Sequence, residues 1–266
     1  MANSTFRGKT LTEKRGLLLV GHGSREPVGL EEFLTTSRLV AEMAGKVPVE
    51  SAFLEFAEPT IARGLRNLVH RGARRVTVVP LLLFAAGHAK RDIPKAVASA
   101  AAEHAGSSPG IIIEQSDHLG CHEAIVELSQ LRYDESVAVL PPVLANETAL
   151  VIVGRGSHDS EALVEMRQFV ALRQRLIPVA EVRTAFVAMA EPRLDIVLEE
   201  VVSLPVRRVV VQPHLLFGGV LLDRIAALVE QYARRHPNIQ WVTAAHLGPS
   251  KLVAQAALDR AGSLHA

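Results

Sequence analysis

Apolar residues in this chain fall into two kinds of run: short unbroken ones that end at glycine or a polar residue, and longer ones that recur every three or four positions. Leu17-Leu18-Leu19-Val20 closes on Gly21 and reads as a strand buried on both faces. Leu30, Phe33, Leu34, Ser37, Val40 and Met43 then follow helical spacing. The same pattern predicts strands over 49–54, 75–83 and 110–114, and helices over 59–69, 92–104 and 122–133. Pro59 is placed in the first turn of its helix and Gly72 just past the end. In the second half, strands are predicted near 148–153, 181–187, 207–213 and 239–243, with helices between them and a last one over 250–261. Strands that alternate with helices and are apolar throughout predict an α/β class with two tandem, doubly wound domains and mainly parallel sheets. The expected domains are 14–140 and 146–264, joined near 136–147, where Pro141-Pro142 and Asn146 break regular structure.

The two halves also repeat one another. Gly21-His22-Gly23-Ser24 returns as Gly154-Arg155-Gly156-Ser157. Ala52-Phe53 through Ala57-Glu58-Pro59 returns as Ala185-Phe186 through Ala190-Glu191-Pro192, and the Pro80–Phe84 stretch as Pro213–Phe217. Every offset is 133 (154 − 21, 213 − 80), half of the 266 residues, which marks a tandem duplication. Within that register His22 is answered by Arg155 and Glu55 by Ala188, while His88 falls opposite the apolar Val220-Leu221. Residues that shape the backbone persist in both halves. Metal-capable side chains stand only in the first.

Composition narrows the picture. Hydrophobic residues make up 48% and charged residues 21%, which fits a packed chain and argues against disorder. Lys+Arg of 29 against Asp+Glu of 28 leaves no global attraction for nucleic acid. The single cysteine, Cys121, cannot form an intrachain disulfide, which suits a reducing cytoplasmic location. No apolar run reaches the length of a membrane span, since Thr77 and Pro80 interrupt the longest. The expectation is a cytoplasmic monomer with neither a nucleic-acid nor a membrane partner.

His22, Glu55 and His88 each follow a predicted strand at its carboxyl end, where open α/β sheets place ligands. Taken singly each has an ordinary explanation: a turn histidine, a solvated strand end, a loop histidine. Together, and lost together in the repeat, they suit a borderline divalent ion such as Fe(II), Co(II), Ni(II) or Zn(II). A neutral imidazole also accepts protons near pH 7. Arg25, Lys90 and Arg91 lie beside the histidines and are candidates for binding carboxylates. Ser24 is either a substrate contact or a helix cap, and its persistence as Ser157 favours the cap. Glu58 and Glu191 are assigned to capping by the same logic. His118, His122, His158, His214 and His246 match no ligand spacing and are expected to be surface or satisfied loop groups. Arg155 is a candidate carboxylate clamp from the second half, and His158 stands at the place of Arg25.

Val20-Gly21-His22-Gly23-Ser24-Arg25, Phe53-Leu54-Glu55 with Ala57-Glu58-Pro59, and Gly87-His88 with Asp92-Ile93-Pro94 together resemble the sirohydrochlorin chelatases of the CbiX/SirB type. The likeness runs from about Arg15 to Gly262, the second half resembling a diverged copy of the same module. It implies ATP-independent insertion of a divalent metal into a tetrapyrrole, with no further cofactor required and metal and sirohydrochlorin as the partners. It assigns His22 and His88 to the active site and Glu55 as their acidic partner, for catalysis and metal handling alike. Unlike the long cobalt-type members, this chain has no cysteine cluster and no histidine-rich tail, which points to Fe²⁺ and sirohaem. Cobalt insertion for cobalamin synthesis is the alternative metal. A non-catalytic carrier of metal or tetrapyrrole is the alternative of another class, marked by stoichiometric binding without turnover. A phosphate-handling enzyme finds little support, since neither a Gly-Lys-Ser/Thr loop nor a dinucleotide glycine motif is present. A serine hydrolase finds less, because Ser24 lacks its Gly-x-Ser-x-Gly setting.

Overall fold

A computed structural model describes residues 14–84, 88–104 and 111–262, without the side chains of 88, 89, 103 and 104. The first half contains β1 (Arg15–Gly21), α1 (Pro27–Ala44), β2 (Val49–Phe53), α2 (Ile61–His70), β3 (Arg75–Pro80), α3 (Ile93–His104), β4 (Ile112–Gln115) and α4 (Glu123–Ala138). The second contains β5 (Thr148–Gly154), α5 (Ser160–Leu176), β6 (Glu181–Phe186), α6 (Leu194–Val201), β7 (Arg208–Pro213), α7 (Val220–Arg235), β8 (Gln240–Thr243) and α8 (Lys251–Gly262). Each half forms a four-stranded sheet, in order β2-β1-β3-β4 and β6-β5-β7-β8. All named strand pairs are parallel. The expected doubly wound α/β class is therefore what forms.

Alternation along β1 explains the layering. Leu17 and Leu19 face one core together with Leu150, Ile152 and Val210 of the second half. Leu18 and Val20 face another with Leu65 and Leu68 of α2 and Ile93 of α3. In the second half Ala149, Val151 and Val153 turn outward onto α6 and α7. A period of two thus gives each sheet one outer and one inner face. The inner faces of both sheets belong to one continuous core, so the halves are not separate globules.

That inner layer contains an exchange. Helix α8, last in the second half, packs on α1 and β3 of the first. Helix α4, last in the first half, packs on α5 and β8 of the second and against α8. Polar contacts follow the same pseudo-twofold. Arg132 of α4 donates from Nη2 to the Leu247 carbonyl at 2.9 Å, and Arg260 of α8 from Nη2 to the Leu119 carbonyl at 3.1 Å. His118 Nε2 lies 3.0 Å from Glu165 Oε2, and His246 Nε2 lies 3.0 Å from Glu32 Oε2. The acceptors sit in His118-Leu119-Gly120 and His246-Leu247-Gly248, an offset of 128 (246 − 118), five short of the offset elsewhere. That change of register hid the correspondence.

Several boundaries differ from expectation. β3 ends at Pro80, not 83, because its neighbour β1 ends at Gly21 and leaves residues beyond Leu81 without a ladder partner. Helix α2 begins at Ile61 and not at Pro59: Thr60 is the N-cap, accepting from the Arg63 N–H, and Pro59 follows a cis bond. Helix α3 is preceded by a π-helical turn, His88–Asp92. Among the described residues no helix is long and apolar enough to cross a membrane.

Because the inner core is shared, urea should unfold both halves in a single transition that far-UV circular dichroism and Trp241 fluorescence report alike. Arg260→Ala should lower its midpoint by the equivalent of about 1–3 kcal/mol, the usual loss of a hydrogen bond to a charged donor. Two separated transitions would contradict a shared core.

Candidate active site

At the carboxyl end of β1 the chain turns sharply, and the turn depends on glycine. Gly23 has φ of 95°, and a Cβ there would lie 1.8 Å from the Glu55 carbonyl oxygen, well inside any contact distance. The close approach is fixed by two backbone bonds: the Leu54 N–H donates to the Gly21 carbonyl and the Glu55 N–H to the His22 carbonyl, each at 3.1 Å. With the strand ends zipped in this way, His22 Nε2 comes to 3.4 Å from Glu55 Oε1. Both side chains are partly exposed, at 29% and 42%. Phe56, the next residue, is held at φ of 62° with its ring half exposed. The ring meets the His22 imidazole edge-on at 5.9 Å and carries the Arg25 guanidinium 4.5 Å above its face, a cation–π arrangement.

The second half reproduces this backbone around different side chains. Gly156 has φ of 91° and a Cβ there would lie 1.9 Å from the Ala188 carbonyl oxygen. Val187 and Ala188 donate to Gly154 and Arg155, each at 3.0 Å. Met189 takes the left-handed conformation of Phe56. Ser24 and Ser157 play matching structural parts, each hydroxyl accepting at 3.0 Å from an N–H two residues on, at the start of α1 and α5. Glu58 and Glu191 likewise accept from the N–H groups of Thr60 and Arg193. Matched roles in both halves mark these residues as scaffold.

The strand ends of the two halves face one another across a cleft of about 1200 Å³, larger than the 300–1,000 Å³ usual for drug-sized ligands. His22, Ser24, Lys90 and Arg91 line it from the first half, and Arg155 and His158 from the second. Arg91, Arg155 and His158 are exposed. Lys90, expected to wait for substrate carboxylates, instead bridges the cleft. Its ammonium lies 3.5 Å from Asp159 Oδ2 and also pairs with Glu161 at the start of α5. The bond with Glu161 raises Lys90 above the ordinary lysine range, while the N–H of Glu161 holds Asp159 below the carboxylate range. His88 opens the π-helical turn after β3, and its side chain lies outside the described residues. Among the described residues no group of three or more His, Cys, Asp and Glu side chains is gathered closely enough to hold a metal ion. His22 and Glu55 supply two donors of the three expected.

The remaining histidines divide. His118 and His246 tie the halves together as described above, and His122 caps α4 by accepting from the Ala124 N–H at 3.2 Å. His214 departs from expectation. It follows β7 at the floor of the cleft, stacked on Phe169 at 3.8 Å and near Phe84 at 5.3 Å. Only 3% of it is exposed, and neither ring nitrogen has a hydrogen-bond partner among the described residues. Burial, reinforced by the Arg173 charge, pushes its pKa down to about 3, so the ring is neutral. Arg173 is itself fully buried, donating from Nε to Ser129 Oγ at 2.9 Å, and burial lowers it to about 10. The sequence marks neither residue, because burial at the inner layer comes from the exchanged helices.

His214 gives the fold a pH dependence. Its folded pKa lies below the unfolded value of 6.5, so the unfolded chain takes up the proton first and stability falls as pH drops from about 6.5 toward 3. Between pH 6.5 and 5 this amounts to about 2 kcal/mol. In urea titrations at pH 7 and 5, His214→Leu should lose less stability on acidification than the wild type; equal losses would show that the ring is not held neutral. Gly23→Ala and Gly156→Ala should both destabilise, by about 2 kcal/mol or more, since each Cβ strikes backbone.

The family model described as CbiX matches the chain twice, over residues 16–136 and 149–264. A sirohydrochlorin cobaltochelatase of Priestia megaterium is 33% identical over 235 residues, 88% of this chain and 74% of that protein. A sirohydrochlorin ferrochelatase of Bacillus subtilis (strain 168) is 32% identical, covering 85% of this chain and 83% of its own length. The structure of SirB from Bacillus subtilis with Fe³⁺ superposes with a TM-score of 0.81 at 30% identity, over 93% of this chain and 94% of that one. Two matches to one family model, in halves that share a backbone, a common core and a cleft, make this chain a member of the CbiX family.

Proposed function

We propose that the protein inserts a divalent metal into sirohydrochlorin, with Fe²⁺ as the metal and sirohaem as the product. The observation that carries this reading is the His22–Glu55 pair, 3.4 Å apart, whose imidazole lines a cleft wide enough for a macrocycle. Family membership and relatives named as sirohydrochlorin chelatases support it.

Insertion requires that water leave the ion, that two pyrrole protons be removed and that the ring nitrogens be reached. The metal is a substrate here, and no nucleotide or resident cofactor is invoked. His22, with an imidazole partly open to the cleft, takes up a pyrrole proton or presents the ion. Glu55, the more exposed partner, passes the proton to solvent. His88, at the head of the π-helical turn, is the second imidazole of the set. Arg25 and Arg91 receive carboxylates at the macrocycle's rim, while Lys90 anchors its own turn to α5. The rate enhancement comes from proximity and general-base chemistry with no covalent intermediate. With both modules in one chain, a cytoplasmic monomer suffices for activity.

Iron is favoured because the chain, with Cys121 as its only cysteine, lacks the cysteine cluster of the long cobalt-type members that it otherwise resembles. Imidazole and carboxylate accept Co²⁺ as well, which makes the metal a direct question for the assay. Anaerobic protein with sirohydrochlorin and either Fe²⁺ or Co²⁺ should metallate the ring, followed by absorbance, with the larger kcat/KM for Fe²⁺. A larger value for Co²⁺ would reverse the metal; binding without repeated turnover would make the protein a carrier. His22→Ala should lower kcat at least about 100-fold and Glu55→Gln about 10- to 100-fold with native circular dichroism.

A further inference from the structure

Two of the replacements in the second half fall at positions that touch each other in the first. His22 and Glu55 form a pair; at the same two places stand Arg155 and Ala188. The backbone that sets their spacing is unchanged, since Ala188 donates to the Arg155 carbonyl at 3.0 Å as Glu55 donates to His22 at 3.1 Å. A glutamate at 188 would therefore lie within ion-pair reach of the Arg155 guanidinium and neutralise it. Alanine removes that counter-charge. The result is an exposed guanidinium on the wall of the cleft, with no hydrogen bond or ion pair to any described residue. The carboxylates nearest along the chain, Asp159 and Glu161, are already engaged by Lys90.

We propose that this pair of changes converts the second module's former reaction site into a carboxylate receptor, in which Arg155 grips a carboxylate of the macrocycle from the side of the cleft opposite His22. A guanidinium suits that task because its planar fork meets a carboxylate with two parallel N–H···O bonds. Its nitrogens only donate and offer no lone pair to take a pyrrole proton, so its part is binding. One module thus handles protons and metal, and the other fixes the ring's register over them. This rests on the reading of the cleft as a sirohydrochlorin site.

The test compares Arg155→Ala, Ala188→Glu and the double variant with the wild type, measuring KM for sirohydrochlorin and kcat at saturating Fe²⁺. Arg155→Ala should raise KM about 10- to 100-fold, the loss of one charged hydrogen-bonded contact, and leave kcat within about threefold. Ala188→Glu should raise KM by a comparable factor while Arg155 is present, because it supplies the missing partner, and by less than about twofold when Arg155 is already alanine. An unchanged KM in Arg155→Ala would overturn the assignment, and so would equal effects of Ala188→Glu in both backgrounds, which would show a merely crowded or repelled wall. If the wild type fails to turn over, the chelatase reading falls. The clamp is then judged by equilibrium binding of sirohydrochlorin, where weaker binding to Arg155→Ala upholds it and equal binding removes it.

Discussion

Each four-stranded sheet in this protein has an inner face that its own helices cannot cover, and the exchange of α4 and α8 closes both. Helix α8 lies on α1 and β3 of the first half, while α4 lies on α5 and β8 of the second. Exposed apolar strand faces are costly in water, roughly 25 cal/mol per Å², so neither half has a satisfactory core without the other's last helix. The arginine-to-carbonyl bonds and the two His–Glu pairs repeat this dependence in polar form. With that layer closed, the carboxyl ends of both sheets face one cleft.

The site follows from that constraint and from the two glycines at the strand ends. Gly23 lets β1 turn against the Glu55 carbonyl, bringing an imidazole and a carboxylate from separate strands to 3.4 Å. Gly156 preserves the turn in the second half, although Arg155 and Ala188 stand there in place of His22 and Glu55. Duplication supplied two copies of a shaped backbone. Divergence left an imidazole beside a carboxylate at one strand end and a guanidinium beside a methyl group at the other. Phe56 and Met189, both in the left-handed region and both partly exposed, show how closely the scaffolds still agree where the chemistry does not.

Charge in the cleft is arranged less simply than its basic residues imply. Lys90 is held by Asp159 and Glu161 across the opening, so one expected substrate contact is a structural tie between halves. Glu32 links the other side, accepting from the Gly218 N–H while it pairs with His246. The floor contains a neutral imidazole, His214, above a buried Arg173. These groups set the spacing of the walls. The charges left open to a ligand are fewer than the sequence count.

Most of the fold was legible from the chain alone, because strand burial leaves unbroken apolar runs and duplication leaves a fixed offset of 133. The pairing of His22 with Glu55 was legible for the same reason: each ends a strand, and neighbouring parallel strands in register bring their ends together. What the sequence could not decide was where the last helix of each half would lie, since an apolar stripe states that a helix is buried but not against which sheet. The tertiary structure settled that point, and with it the burial of His214 and the cross-cleft bonds of Lys90 and Glu32. Each of these depends on residues more than forty positions apart, where no local pattern has reach.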